Sequence, residues 1–146
     1  EPVHQEPAQA IAGQLAEIGL NVQVNIGDPD QLWEKFLAGE MESMYMMHCN
    51  NTLADADYCT GLHFDSDRRG LYYHSPETDE LIDEGAAATD RAERTRIYHE
   101  LAATLHEEAP VIFLWELNDI YGLNQAVQWQ PRPDERIWLF DASLTQ

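Results

Sequence analysis

Lysine is nearly missing from this chain: Lys35 is the only one, and 8 Lys and Arg together face 27 Asp and Glu in 146 residues. The formal net charge of -19 repels a phosphate backbone, whose binding depends on cationic side chains that release counterions. Nucleic acid and anionic membrane surfaces are thereby excluded as partners. Long hydrophobic runs are also lacking, and none approaches the roughly 20 apolar residues of a bilayer-spanning helix. An initiating Met, a basic n-region and an apolar h-region are absent. The opening Glu1-Pro2-Val3, a few residues ahead of a helical pattern, reads as cut from something longer, so the missing leader says nothing of where the protein resides. Gly-x-Ser-x-Gly, a phosphate-cradling glycine loop and His-Glu-x-x-His are all lacking, and paired carboxylates such as Asp55 and Asp57 arise by chance among 27 acids. No enzyme activity and no cofactor is expected.

What is present describes a soluble globular domain: 44% hydrophobic and 10% aromatic residues, with length enough to bury roughly 68–70% of the unfolded surface in one core. The carboxylates are strewn along the chain instead of forming one block, as in a protein kept soluble by a hydrated acidic surface. A high-salt habitat fits this distribution, and a stability maximum at low salt would contradict it.

From Pro7, the residues Ala8, Ile11, Ala12, Leu15 and Ile18 recur at helical spacing, with Gly19 placed for a left-handed cap. Val22, Val24 and Ile26 alternate with Asn21, Gln23 and Asn25, the period of a half-buried strand. Asp28-Pro29 then starts a helix, Gln31 standing three residues after the cap, with Leu32, Trp33, Phe36 and Leu37 on its apolar face before Gly39. Met44 to Met47 reads as a strand covered on both faces. Ser75-Pro76 starts another helix, carrying Leu81 and Ile82. Asp90 and Glu93 make an acidic capping box for a helix bearing Ile97, Tyr98, Leu101, Ala102 and Leu105 and ending before Pro110. Val111 to Trp115 follows as a buried strand. Alternating helices and strands with short connections predict an α/β architecture. Between His48 and His74 the pattern lapses for about 27 residues, too long for an ordinary connection and therefore a candidate functional loop.

Three stretches carry a resemblance. They are Ala10 to Val22, in which a helix ending in Gln-Leu, two residues and a Gly turns into a strand; Ser75-Pro76-Glu77-Thr78-Asp79-Glu80-Leu81-Ile82; and Asp90 to Pro110 with Arg94, Tyr98 and Ala109-Pro110. In order and spacing the chain resembles the solute-binding proteins of ABC importers that include dipeptide-, oligopeptide- and nickel-binding proteins, extracellular solute-binding family 5. The resemblance implies a periplasmic-binding-protein type II-like fold, of which this chain supplies one lobe with a mixed sheet flanked by helices. Residues 1–115 would be most of the second, C-terminal lobe, and 116–146 a hinge-proximal segment returning toward a missing N-terminal lobe. It further implies capture of a small-molecule or oligopeptide solute between the lobes, delivery to membrane permease subunits, and a bacterial periplasmic or extracellular membrane-anchored location.

On that footing the loop after Met47 lines the cleft, as ligands of open α/β sheets sit at the carboxyl ends of strands. His48, Asn50, Asn51, Asp55, Asp57, Tyr58 and Trp115 are the expected ligand-binding residues. His48 stands where relatives favour Trp, Asn51 about where they place an Asp for the ligand's ammonium group, and Asp55-Ala56-Asp57 in place of an Asp-Pro-Asp pattern. An Asn offers an ammonium a weaker partner than a carboxylate, so Asp55 or Asp57 would have to take over that role. Asn and Asp also serve simply to satisfy turn backbone, and Trp115 and Tyr58 serve equally as core. Cys49 and Cys59 are the only cysteines; the oxidising compartment that the resemblance implies favours a disulfide, with two buried thiols as the other structural reading. The alternative function is a metal-binding module using His48, Cys49, Cys59 and His63, although adjacent His48 and Cys49 lack the gap usual in zinc knuckles.

Overall fold

The computed structural model describes residues 2–68 and 72–145; Glu1, residues 69–71 of the expected loop and Gln146 lie outside the described residues. The chain divides into two units, residues 1–49 and 50–146.

The first unit holds α1 (Pro2–Glu17) and α2 (Pro29–Ala38). Helix α1 starts five residues earlier than the apolar pattern indicates and carries Pro7 inside it. The residues before Ala8 have no apolar period to announce them, and Pro7, past the first turn, removes one intrahelical bond and crowds the carbonyl four residues before it. Gly19, at φ 89°, ends the helix as expected: its amide donates to the Ala16 carbonyl at 3.0 Å and that of Leu20 to the Leu15 carbonyl at 3.0 Å. Helix α2 is capped by Asp28, whose Oδ1 accepts from the amides of Asp30 (3.1 Å) and Gln31 (3.2 Å), and it closes on Gly39 at φ 74°. Phe36, buried, stacks on Trp33 and meets the edge of Tyr45.

The second unit holds α3 (Ala56–His63), α4 (Pro76–Ala87), α5 (Arg91–Glu108), β1 (Val127–Gln128) and β2 (Ser143–Leu144). Helices α4 and α5 pack together, and α3 lies against α4. Their shared core is Phe64, Leu81, Ile82, Ile97, Leu101 and Leu105, flanked by Tyr73 and Tyr98. Ser75 and Asp90 cap α4 and α5 as their sequences predict, and Ala109, in the left-handed region at φ 49°, ends α5 directly before Pro110. β1 and β2 pair antiparallel, Val127 opposite Leu144 and Gln128 opposite Ser143. Nearby, the Trp129 indole donates to the Trp138 carbonyl at 2.7 Å.

Two expectations need correction. Among the described residues the structure is mixed α and β, mostly helical with a small two-stranded sheet, compatible with a fragment of a binding-protein lobe, and what is corrected is the three expected strands: Val22–Ile26, Met44–Met47 and Val111–Trp115 form no strand ladder. The side-chain period survives in part without the ladder: Val22 and Val24 are half-buried between exposed Asn21, Gln23 and Asn25, while Ile26 is 61% exposed. A strand exists only through a partner, which its own sequence does not supply. In the last of these runs Ile112 is 75% exposed and Trp115 50%, the opposite of a buried strand. The second correction concerns the polar stretch from His48 to His74, which contains α3. Asp55 is its N-cap; the helix has too short an apolar face for periodicity to show it.

Candidate functional site

The candidate site is built from the turn that leads into α3. The Asn51 carbonyl accepts from the amide of Ala54 (3.0 Å), and Asn51 Oδ1 from that of Asp55 (3.1 Å). These two bonds hold Ala54 at φ 50°, a left-handed conformation uncommon for a residue with a Cβ. Asp55 Oδ1 then accepts from the amide of Asp57 at 2.9 Å and caps α3. Asn51 and Asp55 thus do perform the turn and cap work open to them from sequence.

Both carboxylates are also paired with arginines of the same unit. Arg94, on α5, extends its guanidinium as a fork: Nη2 meets Asp55 Oδ1 at 2.6 Å and Nη1 donates to the Gly85 carbonyl on α4 at 2.8 Å. Its Cζ lies 5.1 Å from the centre of the Tyr98 ring, a cation–π arrangement. Asp57 is met through both oxygens by Arg68 Nη1, at 3.3 and 3.2 Å, while Arg68 Nε reaches buried Asp65 at 2.7 Å. The Tyr98 hydroxyl stands between the two pairs, 3.4 Å from Asp57 Oδ1 and 3.5 Å from Arg94 Nη2. The bond from the Asp57 amide, and after it Arg94, hold the Asp55 carboxyl below the usual aspartate range against partial desolvation. Burial, and after it the charge of Asp57, pushes the Tyr98 hydroxyl up to about 12. At neutral pH the Asp55 carboxyl is therefore charged and Tyr98 is a neutral donor. Ala54, Asp55, Ala56, Arg91, Arg94, Thr95, Tyr98 and His99 line a concavity of about 420 Å³ beside this network.

Of the expected ligand-binding residues, Asn51, Asp55 and Asp57 come together here. Asn50 is exposed, its carbonyl accepting from the Thr52 amide at 2.8 Å. Tyr58, 38% exposed, lies on α3, and Trp115 lies in the exposed run that follows α5. His48 belongs to the first unit, where its Nδ1 lies 3.1 Å from His4 Nε2. Arg94, Arg68 and Tyr98 were not among the expected site residues. Arg94 and Tyr98 lie one turn apart, but nothing in the sequence says which acids they meet 39 to 41 positions away.

Cys49 and Cys59 are disulfide-bonded, and no cysteine is free. No group of three or more His, Cys, Asp or Glu side chains among the described residues is arranged to hold a metal ion. The metal-binding alternative through His48, Cys49, Cys59 and His63 is corrected accordingly: a bridged cysteine offers no thiolate. His63 contacts the edge of Phe64, and burial lowers its pKa, favouring the neutral imidazole. No described helix is long and apolar enough to cross a membrane.

What the fold and site define together is a helical unit whose acidic entry turn is tied to α5 by Arg94 and to the segment after α3 by Arg68. Comparison with known proteins brings this chain beside two periplasmic or peptide-binding relatives. It is 30% identical over 70 residues to the probable D,D-dipeptide-binding periplasmic protein DdpA of Escherichia coli (strain K12), which is 44% of this chain and 14% of that protein. It is 29% identical over 107 residues to the probable di/tripeptide-binding protein 5 of Pseudomonas aeruginosa (strain UCBPP-PA14), 70% of this chain and 20% of that protein. The chain thus spans a fifth or less of the length of these curated relatives. No protein-family model matches it, and no solved structure does.

Proposed function

We propose that this chain is part of a peptide-binding solute receptor, most of the second lobe of a longer protein that captures a short peptide and passes it to a membrane permease in the periplasm or at the outer cell surface. The observation that carries the reading is that both relatives, aligned over 44% and 70% of the chain, are described as binders of di- or tripeptides. Neither name denotes a reaction, in keeping with a protein that binds without transforming. Two features of the molecule support the reading. Val111–Trp115 is an apolar run left exposed, as expected of a segment that pairs with the remainder of a larger sheet. The disulfide suits an oxidising compartment outside the cytoplasm. In this reading His48, Asn50, Asn51, Tyr58 and Trp115 face the solute, and residues 116–146 lead back toward the first lobe.

The test is a thermal-shift series on the longer protein with free dipeptides and tripeptides, their N-acetylated forms, simple sugars and divalent metal ions. A ligand that binds only the native state raises the melting temperature, by an amount that grows with its concentration over Kd. Stabilisation by peptides, with this chain alone responding far more weakly because half the contacts are missing, is the expected result. Stabilisation by sugars or metals and by no peptide would overturn the reading.

A further inference from the structure

We propose that Arg94 is a positioning residue for the Asn51–Asp57 turn, acting with Arg68 as a two-sided charge clasp that holds both aspartates in place and leaves neither carboxylate to receive a ligand's ammonium group. The second half of this inference rests on the reading of the turn as part of a peptide cleft; the first half does not.

The clasp has a built seat on each side. A Cβ placed at Gly85 would lie 2.8 Å from Tyr98 Cζ and 3.0 Å from Cε2, and the same residue's carbonyl is the one that takes Arg94 Nη1. A Cβ at Gly61 would lie 2.2 Å from Arg68 Nη1 and 2.9 Å from its Cζ. Neither glycine has a left-handed backbone, so conformation does not call for glycine at either position. Both are buried within helices, where glycine is unfavourable relative to alanine; Gly61 leaves room for Arg68, and Gly85 for the Tyr98 ring that lies against Arg94. The fork of Arg94 is used in full: one nitrogen fixes it to α4, the other grips Asp55, and Tyr98 supports its face. Lysine, a single point charge, has no second donor in that fixed geometry. Asp55 and Asp57 each have an arginine within 3.3 Å, and Asp55 also accepts the Asp57 amide, so each carboxylate already carries a cationic partner of this chain.

Hydrogen exchange on the full chain tests the positioning role. The amides of Asp55, Asp57 and Tyr58 are hydrogen-bonded within the turn, whereas those of Leu101 and Leu105 report on the core. In Arg94→Met the three turn amides should exchange about fivefold faster with the core amides unchanged, and Arg94→Lys should recover part of the protection. Unchanged turn amides, or equal acceleration at turn and core, would overturn the clasp. Should Arg94→Met fail to fold, Asp55→Asn, which keeps an acceptor for the cap and removes only the charge, carries the same expectations. In the longer protein, Asp55→Asn and Asp57→Asn should keep the wild-type ratio of affinities for a free dipeptide and its N-acetyl form. Collapse of that ratio in either variant would show a carboxylate facing the ammonium and sink that half of the inference. If the wild-type longer protein binds no peptide at all, the proposed function fails while the exchange result still decides the clasp.

Discussion

Gly85 and Gly13 are both helical glycines with ordinary backbone, yet they answer to different constraints. A Cβ at Gly13, in α1, meets nothing within 4 Å, whereas one at Gly85 drives into the ring of Tyr98. Gly13→Ala should therefore stabilise the protein by roughly 0.5–1 kcal/mol, the helix-propensity gain with nothing set against it. Gly85→Ala starts from the same gain, but overpacking a filled site costs about 1–3 kcal/mol and wins, giving a net loss of about 1 kcal/mol. Urea unfolding of the two variants checks the pair; equal stabilisation by both would mean that Tyr98 yields freely. The contrast bears on what is legible at this scale. Sequence gives both glycines the same mild helix penalty, and the separation of 13 from Gly85 to Tyr98 hides that they touch. Asp55 and Asp57 are similar: their chemistry is evident from residue type, but the arginines that occupy them become visible only once α3 and α5 are placed.

Element ends are where the sequence speaks most plainly, because a cap is satisfied within three or four residues. Asp28, Ser75 and Asp90 cap the helices that their sequences announce, and Gly19, Gly39 and Ala109 end theirs in the left-handed region. Asp90 Oδ1 accepts from the Glu93 amide at 2.9 Å on the surface, so its removal tests the cap. Asp90→Ala should cost about 1 kcal/mol in urea unfolding, and Asp90→Asn, which retains an acceptor oxygen, only a few tenths. A loss as large in Asn as in Ala would make charge at the helix start, not the hydrogen bond, the source of the effect. Strands are less legible for a reason that is also physical. Alternation of side chains is local, and it survives at Val22 and Val24, but pairing is made by a second segment that the period does not identify. α3 is illegible for the converse reason: eight residues are too few to establish a helical period, and only the cap at Asp55 marks it.

For the molecule as a whole, the decisive quantity is the charge imbalance. Attractive pairs exist on the surface, among them Arg96 with Glu93 and Glu100 and Arg132 with Asp134, whose carboxyl is held down to about 2. Exposed pairs of this kind contribute little each, and salt weakens them. Opposing them is the mutual repulsion of 27 acids answered by only 8 basic residues, which salt weakens as well. Because most carboxylates lack a cation of their own, the repulsive sum is the larger, and screening it should stabilise the folded chain. Raising NaCl from about 0.01 M to about 1 M shortens the Debye length from about 30 Å to about 3 Å, which removes nearly all repulsion between exposed charges. The melting temperature should climb by several degrees over that range, with most of the gain below about 0.2 M, where long-range repulsion is screened first. A neutral osmolyte series at matched water activity separates this from general preferential exclusion, since an uncharged solute does not screen. A melting temperature that is highest at the lowest salt would mean that the few arginine pairs outweigh the unbalanced acids, and the acidic surface would then be no adaptation to ionic surroundings.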